Sequence, residues 1–210
     1  MEFIVFCFFL YLTQIYSLEN LWIMRHCDKN NDDDPCCSQK GYERALHWRE
    51  YLQQYITYDT YVYGAGFGSD QNECITNDIY STNKNCQQSQ RMFLTAYSIL
   101  KTFNKSIGMN IDYCSGDYED LTKSCYKQPY KDVVVAWKHE EITDIIKYIG
   151  IEIDDWPDDV DEYNIIFMID VKTNHLYYDC YNFEDNTRTC TKETYAWLEK
   201  YDNISEYYLI

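Results

Sequence analysis

The residues best placed to do chemistry are two histidines, each at the end of an apolar run. The first comes after Leu21-Trp22-Ile23-Met24, where the chain turns abruptly polar through Arg25, His26, Cys27, Asp28 and Lys29. The second comes after Val133-Val134-Val135-Ala136-Trp137 and sits within Lys138-His139-Glu140-Glu141. A buried strand ending in Arg-His delivers cationic groups to the edge where open α/β sheets bind ligands. Arg91 belongs to a third segment that can reach the same edge. Two histidines and two arginines converging there suit a phosphoryl group, because guanidinium forks match its oxygens. A neutral histidine between arginines can serve as the nucleophile.

Regular elements must position these side chains, and the residue pattern supplies them. Residues 21–24 and 133–137 read as strands buried on both faces. Thr60 to Gly66 reads as another strand, entering a loop at the same edge. Ser38 can cap a helix over roughly 40–55, with Ala45, Trp48 and Leu52 on its core face. Ser89 to Phe103 reads as a helix with Phe93, Ala96, Leu100 and Phe103 as its apolar stripe. Arg91 lies in its first turn, off that stripe, where a solvated surface arginine is the plain alternative. Ile142, Ile145, Ile146 and Ile149 recur at helical spacing, and Gly150 ends that helix. Residues 106–130 read mostly as loop, with a short strand near 109–113. Asn164–Val171 and His175–Tyr181 form a hairpin through Lys172-Thr173-Asn174, and a last helix covers about 191–201. Strands alternating with helices predict a three-layer α/β/α domain with a mostly parallel central sheet.

A chain of 210 residues with 46% hydrophobic content fits one globular domain. The formal net charge of −17, with no dense Lys/Arg cluster, argues against a nucleic-acid binder. A site for a phosphorylated ligand must therefore be locally basic against an acidic field. Residues 1–17 carry an apolar block, Phe3 to Leu12, and a small residue, Ser17, where a signal peptide would be cleaved. Glu2 in place of a positive residue and the bulky Ile15 count against cleavage. An uncleaved anchor, the one membrane contact expected, and a buried strand are the alternatives. On the signal-peptide reading the domain spans 18–210 and is secreted or lumenal. Removing Cys7 leaves nine cysteines, a usage that fits an oxidising compartment. Sequence proximity pairs Cys74 with Cys86, Cys114 with Cys125 and Cys180 with Cys190. Cys27, Cys36 and Cys37 remain, one of them free or paired between chains. No Cys-x-x-Cys pair exists, which argues against a zinc site. Asn104-Lys105-Ser106 and Asn203-Ile204-Ser205 are glycosylation sequons, meaningful for a secreted glycoprotein.

Taken in order, the motifs resemble the histidine phosphatase superfamily, with its phosphoglycerate mutase-like fold. Ile23-Met24-Arg25-His26 and Ser38-Gln39-Lys40-Gly41-Tyr42-Glu43-Arg44-Ala45 resemble its Arg-His-Gly-Glu block and the helix start after it. Ser89-Gln90-Arg91-Met92-Phe93-Leu94-Thr95-Ala96 resembles its Ser-x-x-Arg-x-x-x-Thr-Ala segment, and Val133 to Ile142 its second-histidine strand and helix. Trp156-Pro157-Asp158-Asp159 resembles the tail of a small uncharacterised subgroup. The resemblance implies a phosphatase in which His26 attacks phosphorus while Arg25, Arg91 and His139 hold the phosphoryl oxygens. It implies no metal or organic cofactor, and a phosphorylated small-molecule or phosphoester substrate. Glu140 is the first choice for the acid that protonates the leaving oxygen. Glu141 is second, and Asp70, Glu73, Asp117 and Glu119 are loop candidates. Lys29 reads as solvated, with a phosphate contact as the alternative, and His47 and His175 read as surface or packing residues. One departure stands out: Cys27 occupies the position of the family's glycine. It either crowds the pocket or is tied to Cys36 or Cys37. The rival reading is a catalytically inactive secreted binding or structural protein that keeps the fold.

Overall fold

Val133 to Trp137 has no polar side chain beyond one indole N–H, and a strand with so little to offer water must be covered on both faces. In the computed structural model it lies near the middle of a seven-stranded sheet, ordered β3-β2-β4-β1-β5-β6-β7. The structure describes residues 18–31, 34–56, 60–68, 74, 86, 89–101, 108–158, 160, 163–183, 187 and 189–208. The apolar segment 1–17, the sequon at Asn104 and the loop acids Asp70 and Glu73 lie outside the described residues.

The strands are β1 (Asn20–Arg25), β2 (Thr60–Gly64), β3 (Gly108–Asn110), β4 (Asp132–Trp137), β5 (Ile165–Asp170), β6 (His175–Cys180) and β7 (Asp202–Asn203). The helices are α1 (Gln39–Leu52), α2 (Arg91–Leu100), α3 (Tyr118–Cys125), α4 (His139–Tyr148), α5 (Lys192–Leu198) and α6 (Ile204–Tyr207). β1 and β2 flank β4, both parallel to it, and β2 also pairs parallel with β3. The β5–β6 hairpin adds on antiparallel beside β1.

Strand alternation sorts the core into two faces. Trp22, Met24, Val134 and Ala136 pack under α1 and α2 with Trp48, Leu52, Ala96 and Ile99. Leu21, Ile23, Val133 and Val135 pack on the other face against Leu121 of α3, Ile142, Ile145 and Ile146 of α4, and Trp197 of α5. The three-layer α/β/α domain with a mostly parallel sheet is the architecture the sequence pattern predicts.

The start of α1 is pinned by a close approach. Ser38 caps it, its Oγ accepting from the Gly41 N–H at 3.0 Å. A Cβ on Gly41 would stand 2.7 Å from the Asp28 carbonyl oxygen and 2.9 Å from the Asp28 nitrogen. Any side chain there pushes α1 away from the segment just beyond His26. Gly41→Ala is expected to cost about 1–3 kcal/mol by overpacking. Urea denaturation would measure it, and an unchanged midpoint would show that the contact relaxes freely.

Two expectations for the connections need correction. Residues 106–130 contain α3, a helix of eight residues whose buried positions, Leu121, Thr122 and Cys125, make too short a stripe to stand out. The bridges also differ from pairing by proximity. Cys27 joins Cys37, Cys36 joins Cys74, and Cys86 joins Cys114; of the three short-range pairs only Cys180–Cys190 forms. Cys125 is the free cysteine among the described residues. It is 1% exposed, on the core side of α3, and burial pushes its thiol far up in pKa. The helix turns it into the core, and Cys114 pairs with Cys86 instead. Cys36 and Cys86 meet partners 38 and 28 residues away, which proximity in sequence does not encode. Among the described residues, no helix is long and apolar enough to cross a membrane.

Candidate active site

β1 and β4 are parallel neighbours in register, with Arg25 opposite Trp137. They end level, so the residues beyond the two strands meet at one edge. The His26 N–H donates to the Trp137 carbonyl at 2.9 Å, extending the pairing by one residue. Beyond it, β1 runs into loop and β4 runs through Lys138 into α4. The first turn of α2 arrives at the same edge.

Arg25, His26, Arg91, His139 and Glu140 line one pocket of about 170 Å³. Lys29, Lys138, Ser89, Met92 and Tyr163 complete its wall. Four of the chain's 18 lysines and arginines therefore face one small cavity in a molecule of net charge −17. The N-termini of α2 and α4, each ten residues long, point their positive dipole ends at the same space. The pocket is therefore locally basic within an acidic molecule.

His26 is 5% exposed. Its Nδ1 lies 2.8 Å from the Cys27 carbonyl oxygen. A carbonyl only accepts, so Nδ1 carries the proton and Nε2 is the basic nitrogen. Burial first, then the charges of Arg91, Arg25 and His139, pull the imidazole pKa from 6.5 down to about 3, against the opposing hydrogen bond to Cys27. The ring is therefore neutral through the mildly acidic range.

Arg25 is 5% exposed, and its guanidinium lies over the Tyr163 ring at 3.8 Å. Arg44, ion-paired with Asp28, lies over the same ring at 5.5 Å. The Arg91 Nε donates to Ser89 Oγ at 3.0 Å, which orients the fork. His139 opens α4 with its ring edge-on to Trp156 at 5.6 Å, and its Nδ1 lies 3.3 Å from a Glu140 carboxylate oxygen. Glu140 also lies 3.6 Å from the Lys138 ammonium.

The alternative acids are placed elsewhere. Glu141 accepts from Trp137 Nε1 at 2.7 Å, Ser115 Oγ at 2.8 Å and the Gly116 N–H at 2.9 Å. Through these three donors it fastens the 115–116 turn to the end of β4. Asp117 accepts from the Cys114 N–H, and Glu119 pairs with Lys123 along α3. Lys29, read as solvated, stands in the pocket wall. His47 and His175 are surface residues beside Glu50 and Asp202. Cys27 does not crowd the pocket: bridged to Cys37, it packs with Phe67, Phe93 and Leu94.

Sequence reasoning misses Tyr163 as a wall residue. It is one of 23 tyrosines, and nothing around it marks it. Trp156 enters that reasoning only as part of a motif, although its ring shapes the seat of His139.

The depressed pKa of His26 has a consequence for stability. The unfolded chain takes up a proton near 6.5, while the folded chain does so only near 3. The contribution is complete above the unfolded value and is lost as pH falls through that window. Wild type should lose more thermal stability between pH 7 and pH 4.5 than His26→Asn does. Equal losses in paired melts would show that His26 titrates normally.

No protein-family model matches the chain, and a search of curated proteins finds no match. Solved structures do resemble it. A candidate phosphohistidine phosphatase, SixA, from Agrobacterium tumefaciens aligns with a TM-score of 0.42 at 10% identity, covering 76% of this chain and 95% of that one. A candidate SixA from Nakamurella multipartitia aligns at 0.44 and 9% identity, covering 72% and 83%. A phosphoserine phosphatase from Entamoeba histolytica, in complex with 3-phosphoglyceric acid, aligns at 0.40 and 8% identity, covering 82% and 98%.

Proposed function

We propose that this chain is a secreted or lumenal phosphomonoester hydrolase that works through a phosphohistidine at His26. The observation that carries this reading is the tautomer. With Nδ1–H bound to the Cys27 carbonyl, Nε2 holds a lone pair in a pocket walled by Arg25 and Arg91. In the first step Nε2 bonds to phosphorus, and the bond from phosphorus to the leaving oxygen breaks. That oxygen takes the electron pair and a proton from Glu140. In the second step a water oxygen bonds to phosphorus as the N–P bond breaks, its electrons returning to Nε2. Glu140, now a carboxylate, takes the water proton. Arg25, Arg91 and His139 hold the equatorial oxygens, where charge develops. The substrate is a phosphorylated small molecule or phosphoester. The bridged cysteines support the secretory setting, since such bonds persist in oxidising compartments.

Hydrolysis of an aryl phosphate in EDTA, by residues 18–210 made in an oxidising host, tests the reading. Turnover and a trapped phosphoenzyme are expected. A folded protein giving neither across pH 4 to 8 would leave the inactive binding protein as the better account.

The two adjacent glutamates separate by leaving group. An alkyl oxygen needs a proton to depart, and a nitrophenolate does not. Glu140→Gln is expected to slow phosphoenzyme formation from an alkyl phosphate by about 10²–10⁴-fold and to spare that step for the nitrophenyl ester, read as the first-turnover burst of nitrophenolate. Glu141→Gln is expected to lower the melting temperature and to produce no such difference between the leaving groups. If Glu141→Gln showed the leaving-group effect instead, the assignment of Glu140 would fall.

A further inference from the structure

We infer that the Cys27–Cys37 disulfide is a positioning strut for the nucleophile, fixing the peptide that holds His26 and tying it to the helix that carries Arg91. The inference rests on the hydrolase reading above.

The pairing of β1 with β4 reaches no further than the His26 N–H, so residues 27–29 have no ladder to hold them. Two bonds hold the Cys27 backbone, and a third carries one of them on into α2. The Cys27 carbonyl holds His26 Nδ1 at 2.8 Å. The Cys27 N–H donates to Thr95 Oγ1 at 2.8 Å. Thr95 Oγ1 in turn donates to the Arg91 carbonyl at 2.8 Å. A rotation of the Cys27 backbone would therefore release the His26 tautomer and the link to α2 together.

The disulfide opposes that rotation by anchoring Cys27 to the segment that precedes α1. That segment is itself tied to the rest of the site. The Pro35 carbonyl accepts from the Gln90 N–H at 2.9 Å, one residue before Arg91. The Ser38 N–H donates to the Asp28 carbonyl at 2.8 Å. Cys36, beside Cys37, is bridged to Cys74 beyond β2. Nucleophile, arginine helix and α1 are thus joined through one short stretch. Cys27 and Cys37 are 3% and 5% exposed, shielded by Phe67, Phe93 and Leu94. A reductant reaches them poorly, so the bond acts as a fixed strut and not as a redox switch.

The test compares wild type, Cys27→Ala/Cys37→Ala, and Cys180→Ala/Cys190→Ala as a remote-bridge control. Each is checked for its remaining disulfides by mass mapping and for cooperative melting. Turnover of an aryl phosphate gives kcat and KM, and ¹⁵N shifts of His26 report its tautomer independently of turnover. The strut variant should keep KM within about threefold and lose about 10–100-fold in kcat, the scale expected when a reacting group is misplaced by an ångström or less. Its His26 should show mixed tautomers where wild type shows the Nδ1–H form. The control should melt lower and keep its kcat and its tautomer. Wild-type kcat and tautomer in the strut variant, or equal kcat losses in both variants, would overturn the inference. If the strut variant does not fold, wild type is reduced stepwise with mass-resolved thiol labelling. Activity and the Nδ1–H signal should then fall in step with labelling of Cys27 and Cys37; loss that tracks another bridge refutes the strut. If wild type turns nothing over, the hydrolase reading fails while the tautomer comparison still decides the strut.

Discussion

Replacing His26 with alanine is expected to lower kcat on an aryl phosphate by at least about 10⁴-fold, the scale seen when a covalent nucleophile is removed. The loss should appear in kcat more than in KM, because Arg25, Arg91 and the first turns of α2 and α4 remain in the pocket wall. No phosphoenzyme should form. In wild type, a substrate labelled at phosphorus should leave a modification that is lost in acid and survives alkali, as a phosphoramidate does. Folding should be intact, since a small buried cavity beside two arginines costs less than a missing core residue. His26→Ala should even hold its stability better in acid, because the side chain whose unfolded form gains a proton near pH 6.5 is gone. A variant keeping more than about one part in a hundred of wild-type kcat would mean that another group or a bound water attacks phosphorus.

The site is legible in the sequence where backbone direction alone decides placement. Parallel strands ending level bring Arg25, His26 and His139 together because β1 and β4 are neighbours, and both runs are apolar enough to be read as buried. Arg91 is harder, since an arginine in the first turn of a helix faces solvent unless that end of the helix meets a sheet edge. Motif order, and not helical periodicity, is the signal that points to it. Tyr163 and the Cys36–Cys74 bridge are illegible for a different reason. Both depend on loops crossing in space, and neither leaves a periodic trace. Glu140 and Glu141 show the limit most sharply. They are adjacent and chemically identical, and only space tells them apart: Glu140 lines the pocket, while three donors gather around Glu141.

Arg91 is where electrostatics and catalysis can be separated by one substitution. Arg91→Ala is expected to lower kcat/KM by about 10³-fold, as for loss of a preorganised donor to a developing oxyanion. Arg91→Lys should recover part of it, because an ammonium supplies charge without the fork that matches two oxygens. The same change acts on the nucleophile. Arg91 is the largest charge effect depressing the His26 pKa, second only to burial. Removing that charge lets the imidazole pKa rise from about 3 toward its ordinary 6.5. The neutral nucleophile then persists over a narrower range. The acid limb of kcat/KM that His26 imposes should move to higher pH in Arg91→Ala and stay near the wild-type position in Arg91→Lys, which keeps a cation there. A rate loss with no movement of that limb would confine Arg91 to holding substrate. A moved limb with little rate loss would make it chiefly the residue that keeps His26 unprotonated. The geometry, with both guanidiniums in the wall of one small basic pocket, predicts both effects together.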